Sequence, residues 1–131
     1  MDMKIYFPGG KKVYADYNGF IHETDQPTFG GGDDSAPAPF DLFLASMGTC
    51  AGIYVLGFCQ QRGLDAKGLE IIQSMDFNPE TRLIEQVNLE IKLPEEFPKK
   101  YQSALVNVAK LCAVKKHLET PPSFNVFTTK T

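Results

Sequence analysis

The chain has 131 residues, enough for one domain and too few for two of ordinary size. Its 43% apolar and 22% charged residues describe a globular chain rather than a disordered one. The 13 Lys and Arg against 16 Asp and Glu give a net charge of -3, and the only arginines are Arg62 and Arg82, which excludes the clustered basic face of a nucleic-acid platform.

The opening MDMKIYFPGG has no apolar h-region, so no secretory signal is expected and the protein reads as cytoplasmic. Lys4–Phe7 is a short apolar–polar alternation closed by Pro8–Gly9–Gly10. Val13, Ala15 and Tyr17 then alternate with Lys12, Tyr14 and Asp16, and Asn18–Gly19 is a strong two-residue hairpin signal. With Phe20–Thr24 these segments predict a three-stranded meander. Phe29–Ala38, with Gly30–Gly32 and Asp33–Asp34, reads as a loop of low intrinsic order. Its triple glycine has no following Lys–Ser/Thr, and the two aspartates would repel a phosphate.

Pro39–Arg62 is the stretch around which the chain is organised. No charged side chain occurs between Leu42 and Cys59. Pro39 suits a first helical turn, Asp41 favours the positive end of a helix, and Gly63 is a plausible C-cap. At about 1.5 Å per residue such a helix is roughly 35 Å long, more than one small domain needs to cross its core. The charge-free stretch is at the lower edge of transmembrane length, but basic or aromatic anchors and a second span are missing. The expectation is a central buried helix, partly covered by a second subunit.

Leu69, Ile71, Met75 and Phe77 share one parity, interrupted by Gln73, and Asn78–Arg82 is a turn. Leu83, Val87, Leu89, Ile91 and Leu93 form a half-buried strand in which Glu85 breaks the period of two. Lys99–Leu118 is predicted as a second helix, with Leu105, Val108, Ala109 and Cys112 on one stripe. Pro121–Pro122 end it, and Phe124, Val126 and Thr128 suit a closing strand. The order β-β-β, long α, β-β, α, β predicts an α+β two-layer sandwich over residues 1–131 as a single domain.

Few residues suggest chemistry. His22 and His117 have no neighbours at metal-ligand spacing, so no metal and no cofactor is expected. The carboxylate pairs Asp16 with Glu23 and Glu95 with Glu96 read as solvated surface. Three cysteines without an export signal are free thiols rather than a disulfide framework. Cys50 and Cys59 fall on opposite faces of the long helix at 100° per residue and cannot pair within one chain. Cys112 lies on the apolar stripe of the second helix, which could bring it to Cys50. Composition alone leaves open a redox pair or two buried free thiols.

The run Pro39-x-Asp41-Leu42-Phe43-Leu44-Ala45-x-x-Gly48-x-Cys50, with a second cysteine in Leu111-Cys112-Ala113-Val114, resembles the OsmC/Ohr family of thiol proteins. The resemblance runs over essentially the whole chain. It implies an intertwined homodimer with the two long helices at its centre and two sites at the subunit boundary. It also implies that Cys50 is the thiolate that attacks a small hydroperoxide and Cys112 the resolving thiol. A small dithiol or a dihydrolipoyl protein would reduce the resulting disulfide. Three positions depart from the organic-hydroperoxide members. Phe40 stands where they have glutamate, Gly9-Gly10-Lys11-Lys12 where they have an arginine, and Ala113 where proline often follows the second cysteine. Lys11, Lys12 and Asp41 are left as possible electrostatic support, although lysine lacks the rigid fork of arginine.

Two functions are therefore expected to compete. One is a cysteine-based peroxidase of oxidative stress. The other is a non-enzymatic stress-associated protein that binds a small apolar ligand on the same scaffold. Phe40, Phe43, Met47, Tyr54 and Phe58 could line its pocket, or could equally be core or dimer packing.

Overall fold

Asn18 and Gly19 take φ angles of 51° and 79° in the computed structural model, which describes Met1–Thr131. Positive φ at both central residues is the geometry a two-residue hairpin needs to match strand twist. It sets Tyr17 opposite Phe20, and β1 (Lys4–Gly9), β2 (Lys12–Tyr17) and β3 (Phe20–Thr24) form an antiparallel sheet in the order β1-β2-β3. This sheet and the loop after it make up one of two compact units, Met1–Ala45; the other is Ser46–Thr131, and the boundary falls within the long helix.

The loop expected to have low intrinsic order is knotted around Asp25. That carboxylate, 1% exposed, accepts the N–H groups of Gln26, Asp33 and Ser35 and the Ser35 hydroxyl at 2.7, 3.3, 3.1 and 2.6 Å. Led by the Ser35 hydroxyl and the Gln26 amide, these donors lower its pKa to about 2. Gly32 is required here: a Cβ would stand 2.1 Å from the Gln26 carbonyl oxygen.

Helix α1 is Pro39–Gln61, one residue shorter than expected. It ends in a Schellman motif, with Leu64 N–H on Cys59 O at 2.9 Å, Gly63 N–H on Gln60 O at 3.3 Å and Gly63 at φ 65°. Its buried residues are Ala51, Val55, Phe58 and Cys59, spaced i, i+4, i+7 and i+8, which is one face of a helix. Val55, Phe58 and Cys59 join Phe97 and Leu105 in the core of the second unit, packed on Leu69, Ile71, Ile91 and Leu93 of the hairpin and its flanks. Away from that face, Leu42, Ile53 and Leu56 are 37%, 60% and 36% exposed. By length and composition α1 could also cross a membrane.

The hairpin is β4 (Glu70–Asn78) and β5 (Leu83–Lys92). Its turn is organised by Asn78 Oδ1, which accepts the Glu80 and Thr81 N–H groups at 2.8 and 3.3 Å. The register passes from Asp76 opposite Gln86 to Phe77 opposite Ile84, so Glu85 is the extra residue of a β-bulge. That bulge is the physical meaning of the broken alternation at Glu85. Gln73, the interruption on β4, reaches α1 where Gly48 leaves room; a Cβ there would be 2.6 Å from Gln73 Oε1.

Two expectations need correction. The helix predicted over Lys99–Leu118 is divided: a 3-10 turn at Lys99–Tyr101 leads into α2 (Gln102–Ala109), and α3 (Ala113–Glu119) follows with Cys112 as its N-cap. No glycine or proline marks the break, and the apolar spacing runs across it, so periodicity could not reveal it. The closing strand at Phe124–Thr128 is also absent, and Pro121–Thr131 has no regular structure. A strand exists only in a ladder, and here no strand pairs with this segment.

Candidate functional site

Cys50 sits in the middle of α1, half-buried, where the helix backbone fixes its direction. Cys112 reaches it through the α2–α3 break. The N-cap conformation, φ -49° and ψ 129°, turns the chain so that α3 starts beside α1. Cys112 is 3% exposed, and its Sγ lies 4.0 Å from the Met47 carbonyl oxygen, one helical turn before Cys50. All three cysteines are free thiols.

The two sulfurs are hydrogen-bond neighbours with opposite proton affinities. The Val114 N–H, then the Cys112 S–H, then the Ala113 N–H lower the pKa of Cys50 against the desolvation that opposes them. No charged side chain is among those causes. Burial pushes the Cys112 thiol up, and the negative charge of its neighbour raises it further. The two shifts run in opposite directions, Cys50 toward the thiolate and Cys112 toward the thiol. Cys59, fully buried on the opposite face, is pushed up by burial and takes no part.

The other expected site residues are dispersed. Lys12 is held by Asp33, Nζ to Oδ2 at 2.9 Å, which raises its pKa through that hydrogen bond and charge. Lys11 is exposed in the β1–β2 turn, and Asp41 lies in the first turn of α1 with its N–H on Ala38 O at 3.0 Å. All three belong to the first unit, and the two thiols to the second. Phe40 and Phe43 form an exposed ring pair with centroids 5.6 Å apart.

Tyr54 and Phe58 line an open cleft of about 400 Å³ between the end of α1, from Ile53 to Gln61, with Arg62 just beyond it, and Val108 of α2. The Arg62 guanidinium lies 3.6 Å above the Phe58 ring and donates to the Phe58 carbonyl oxygen at 3.3 Å. Met47 does not line this cavity; its carbonyl faces Cys112. Sequence reasoning missed the Ala113 and Val114 amides. Their only signal was that they follow Cys112, and it is readable only once a helix is known to start there.

A family model described as OsmC-like protein matches residues 31–127. No curated protein matches the chain. Among solved structures, one from Psychrobacter arcticus 273-4, named for an osmotic stress induced and detoxification response, is 22% identical with a TM-score of 0.72, covering 87% of this chain and 85% of that one. An organic hydroperoxide resistance protein OsmC from Legionella pneumophila is 17% identical with a TM-score of 0.52, over 90% and 89% of the two chains. At these identities the likeness is one of fold: an α+β sandwich with a long helix and flanking strands.

Proposed function

The chain belongs to the OsmC-like protein family, and on that premise we propose that it reduces hydroperoxides with Cys50 as the attacking thiolate and Cys112 as the resolving thiol. The observation that carries this reading is the Cys50–Cys112 pair itself, in which the more accessible sulfur is shifted toward the thiolate and the buried one toward the thiol. The Cys50 thiolate attacks the distal peroxide oxygen and breaks the O–O bond. Cys50 becomes a sulfenic acid, and the alkoxide leaves and takes a proton to become the alcohol. The Cys112 sulfur then attacks the Cys50 sulfur, its proton leaves with the hydroxyl as water, and a disulfide forms. The peroxide gains two electrons and the thiol pair loses two; an external dithiol, small or dihydrolipoyl, returns them. The working site is proposed to be cytoplasmic and to need no metal or cofactor.

Stopped-flow mixing of the reduced protein with hydrogen peroxide and with an alkyl hydroperoxide, followed by intact mass, tests this. The expected product has lost two hydrogens and carries a Cys50–Cys112 linkage. If no such linkage forms at millimolar peroxide, the peroxidase reading is wrong.

The cavity beside Tyr54 and Phe58 favours a second reading, a non-enzymatic stress-associated protein that binds a small apolar ligand. An ordinary or raised Cys50 pKa in solution, with ligand binding unaffected by Cys50→Ser, would support that alternative.

We also propose that the working form is an intertwined homodimer. Support comes from the apolar side chains that α1 leaves exposed and from Phe124, Val126 and Phe127 at 88%, 92% and 73% exposure in the unpaired C-terminal segment.

A further inference from the structure

We propose that the lysine-rich surface of α2 and α3 around Cys112 is the docking surface for an acidic protein whose dithiol reduces the Cys50–Cys112 disulfide. The inference rests on reading the two cysteines as a peroxide-driven pair, and it names the kind of partner that returns the electrons.

Charge in this chain is segregated. From Phe97 to Leu118 there are five lysines, Lys99, Lys100, Lys110, Lys115 and Lys116, with His117 and no carboxylate. From Asp65 to Glu96, in the same compact unit, eight carboxylates outnumber three cations. All five lysines are exposed, and only Lys115 is ion-paired, to Glu119 at 3.1 Å. A chain of net charge -3 repels an acidic partner over most of its surface, so one basic stretch fixes the side from which such a partner arrives.

That stretch contains the resolving thiol. Lys110 caps α2 two residues before Cys112, and the Lys116 N–H donates to the Cys112 carbonyl oxygen at 3.1 Å. Lys115 and Lys116 follow Cys112 by three and four positions, the spacing of neighbours on a helix surface. Cys112 Sγ in turn approaches Met47 O at 4.0 Å, one turn before Cys50 on α1. Val106, Leu111 and Leu118 are also exposed in this stretch. Apolar and cationic side chains together suit a protein contact better than a site for one small anion. No arginine accompanies the lysines, so the bidentate fork that suits phosphates is missing.

The step this surface serves is thiol–disulfide exchange. A thiolate of the partner attacks the Cys50 sulfur, the more exposed of the two, and the electron pair of the broken bond goes to Cys112, which takes a proton. The partner's second thiol attacks the mixed disulfide and releases Cys50. The partner loses two electrons and two protons and becomes a disulfide, and the chain gains both.

The experiment runs this exchange in reverse, through the same mixed disulfide and without peroxide. Reduced full-length chain is mixed with a disulfide-closed Cys-Gly-Pro-Cys peptide flanked by glutamates, and with versions flanked by glutamines or lysines; loss of free Cys50 is read by quenching and mass spectrometry. At about 20 mM salt the glutamate peptide should react about tenfold faster than the glutamine one, and the lysine peptide slowest. At about 0.5 M salt the three rates should converge. Joint replacement of Lys110, Lys115 and Lys116 by glutamine should abolish the preference, whereas the same loss of charge at Lys4, Lys67 and Arg82 should leave most of it. If the joint variant fails to fold, the three single variants are used, and each should lose part. Equal rates for the three peptides overturn the proposal, as does a preference that survives removal of the lysines, or no exchange with any peptide. Equal rates together with binding to phosphatidylserine–phosphatidylcholine vesicles would assign the surface to a membrane instead. A charge-selective exchange in a protein inert to hydroperoxides sinks the peroxidase reading and leaves the docking surface standing. A peroxide-formed disulfide with no charge preference does the opposite.

Discussion

Cys50 and Cys59 share one helix and meet opposite environments. Nine residues at 100° each set them half a turn apart, and the side that faces the apolar cluster takes Cys59 to 0% exposure. Cys59→Ala should therefore cost stability by a cavity-sized amount, about 1–2 kcal/mol, and leave any thiol turnover intact; urea unfolding and peroxide consumption, measured on the same preparation, check both. For the proposed reaction, Cys50→Ser should abolish peroxide reduction at its first step. Cys112→Ser should allow one turnover and then accumulate sulfenic or sulfinic acid at Cys50, since no second thiol remains to intercept it. Intact mass after a single peroxide addition reads that difference as the gain of one or two oxygens.

Among the elements, the Asp25 loop carries a pH dependence whose sign follows from its pKa. The folded carboxyl titrates near 2, below the ordinary value near 3.9, so the folded state binds fewer protons than the unfolded one in that interval. The stabilisation from its hydrogen bonds is fully present above about pH 4 and is lost as pH falls through about 2. Asp25→Asn should lower the urea midpoint at neutral pH, and the two proteins should converge at the acid end. Hydrogen exchange at the Asp33 and Ser35 amides, which donate to this carboxylate, should quicken in the variant at neutral pH. Unchanged exchange would mean that the loop is held by something else. The α2–α3 break is the other element with consequences, because it alone turns Cys112 from a stripe residue into a helix cap beside Cys50.

At the scale of the whole molecule, a 23-residue helix with only four buried residues is unusual for a chain of this size. Leu42, Ile53 and Leu56 remain exposed along it, and Phe124, Val126 and Phe127 along the last segment. Apolar surface of that extent favours association. Sedimentation equilibrium at micromolar concentration is expected to give a dimer of the 14.5 kDa chain. A stable, folded monomer there would remove the dimer from the proposal. The proposed chemistry would be untouched, because Cys50 and Cys112 meet within one chain.

Local patterns in the sequence determined much of this protein. Asn18–Gly19 dictated a hairpin because few residue pairs tolerate positive φ twice in succession. The charge-free run from Leu42 to Cys59, with Pro39 and Gly63 at its ends, determined α1 to within a residue. Glu85, out of step with its strand, marked a bulge. The helical period alone separated Cys50 from Cys59. Tertiary structure decided what depends on residues distant in the chain. The break at Lys110–Cys112 has no breaker residue, and it shows only in how the chain comes to lie on α1. The ordered loop at Asp25 depends on donors eight and ten residues away, which no periodicity records. The closing strand failed for the same reason in reverse, since apolar alternation can propose a strand but only a neighbour's hydrogen bonds make one. For the candidate site, the two cysteines were legible as a pair to consider, whereas the amides that act on Cys50 were not. Backbone donors are the same in every sequence, and only the fold aims them.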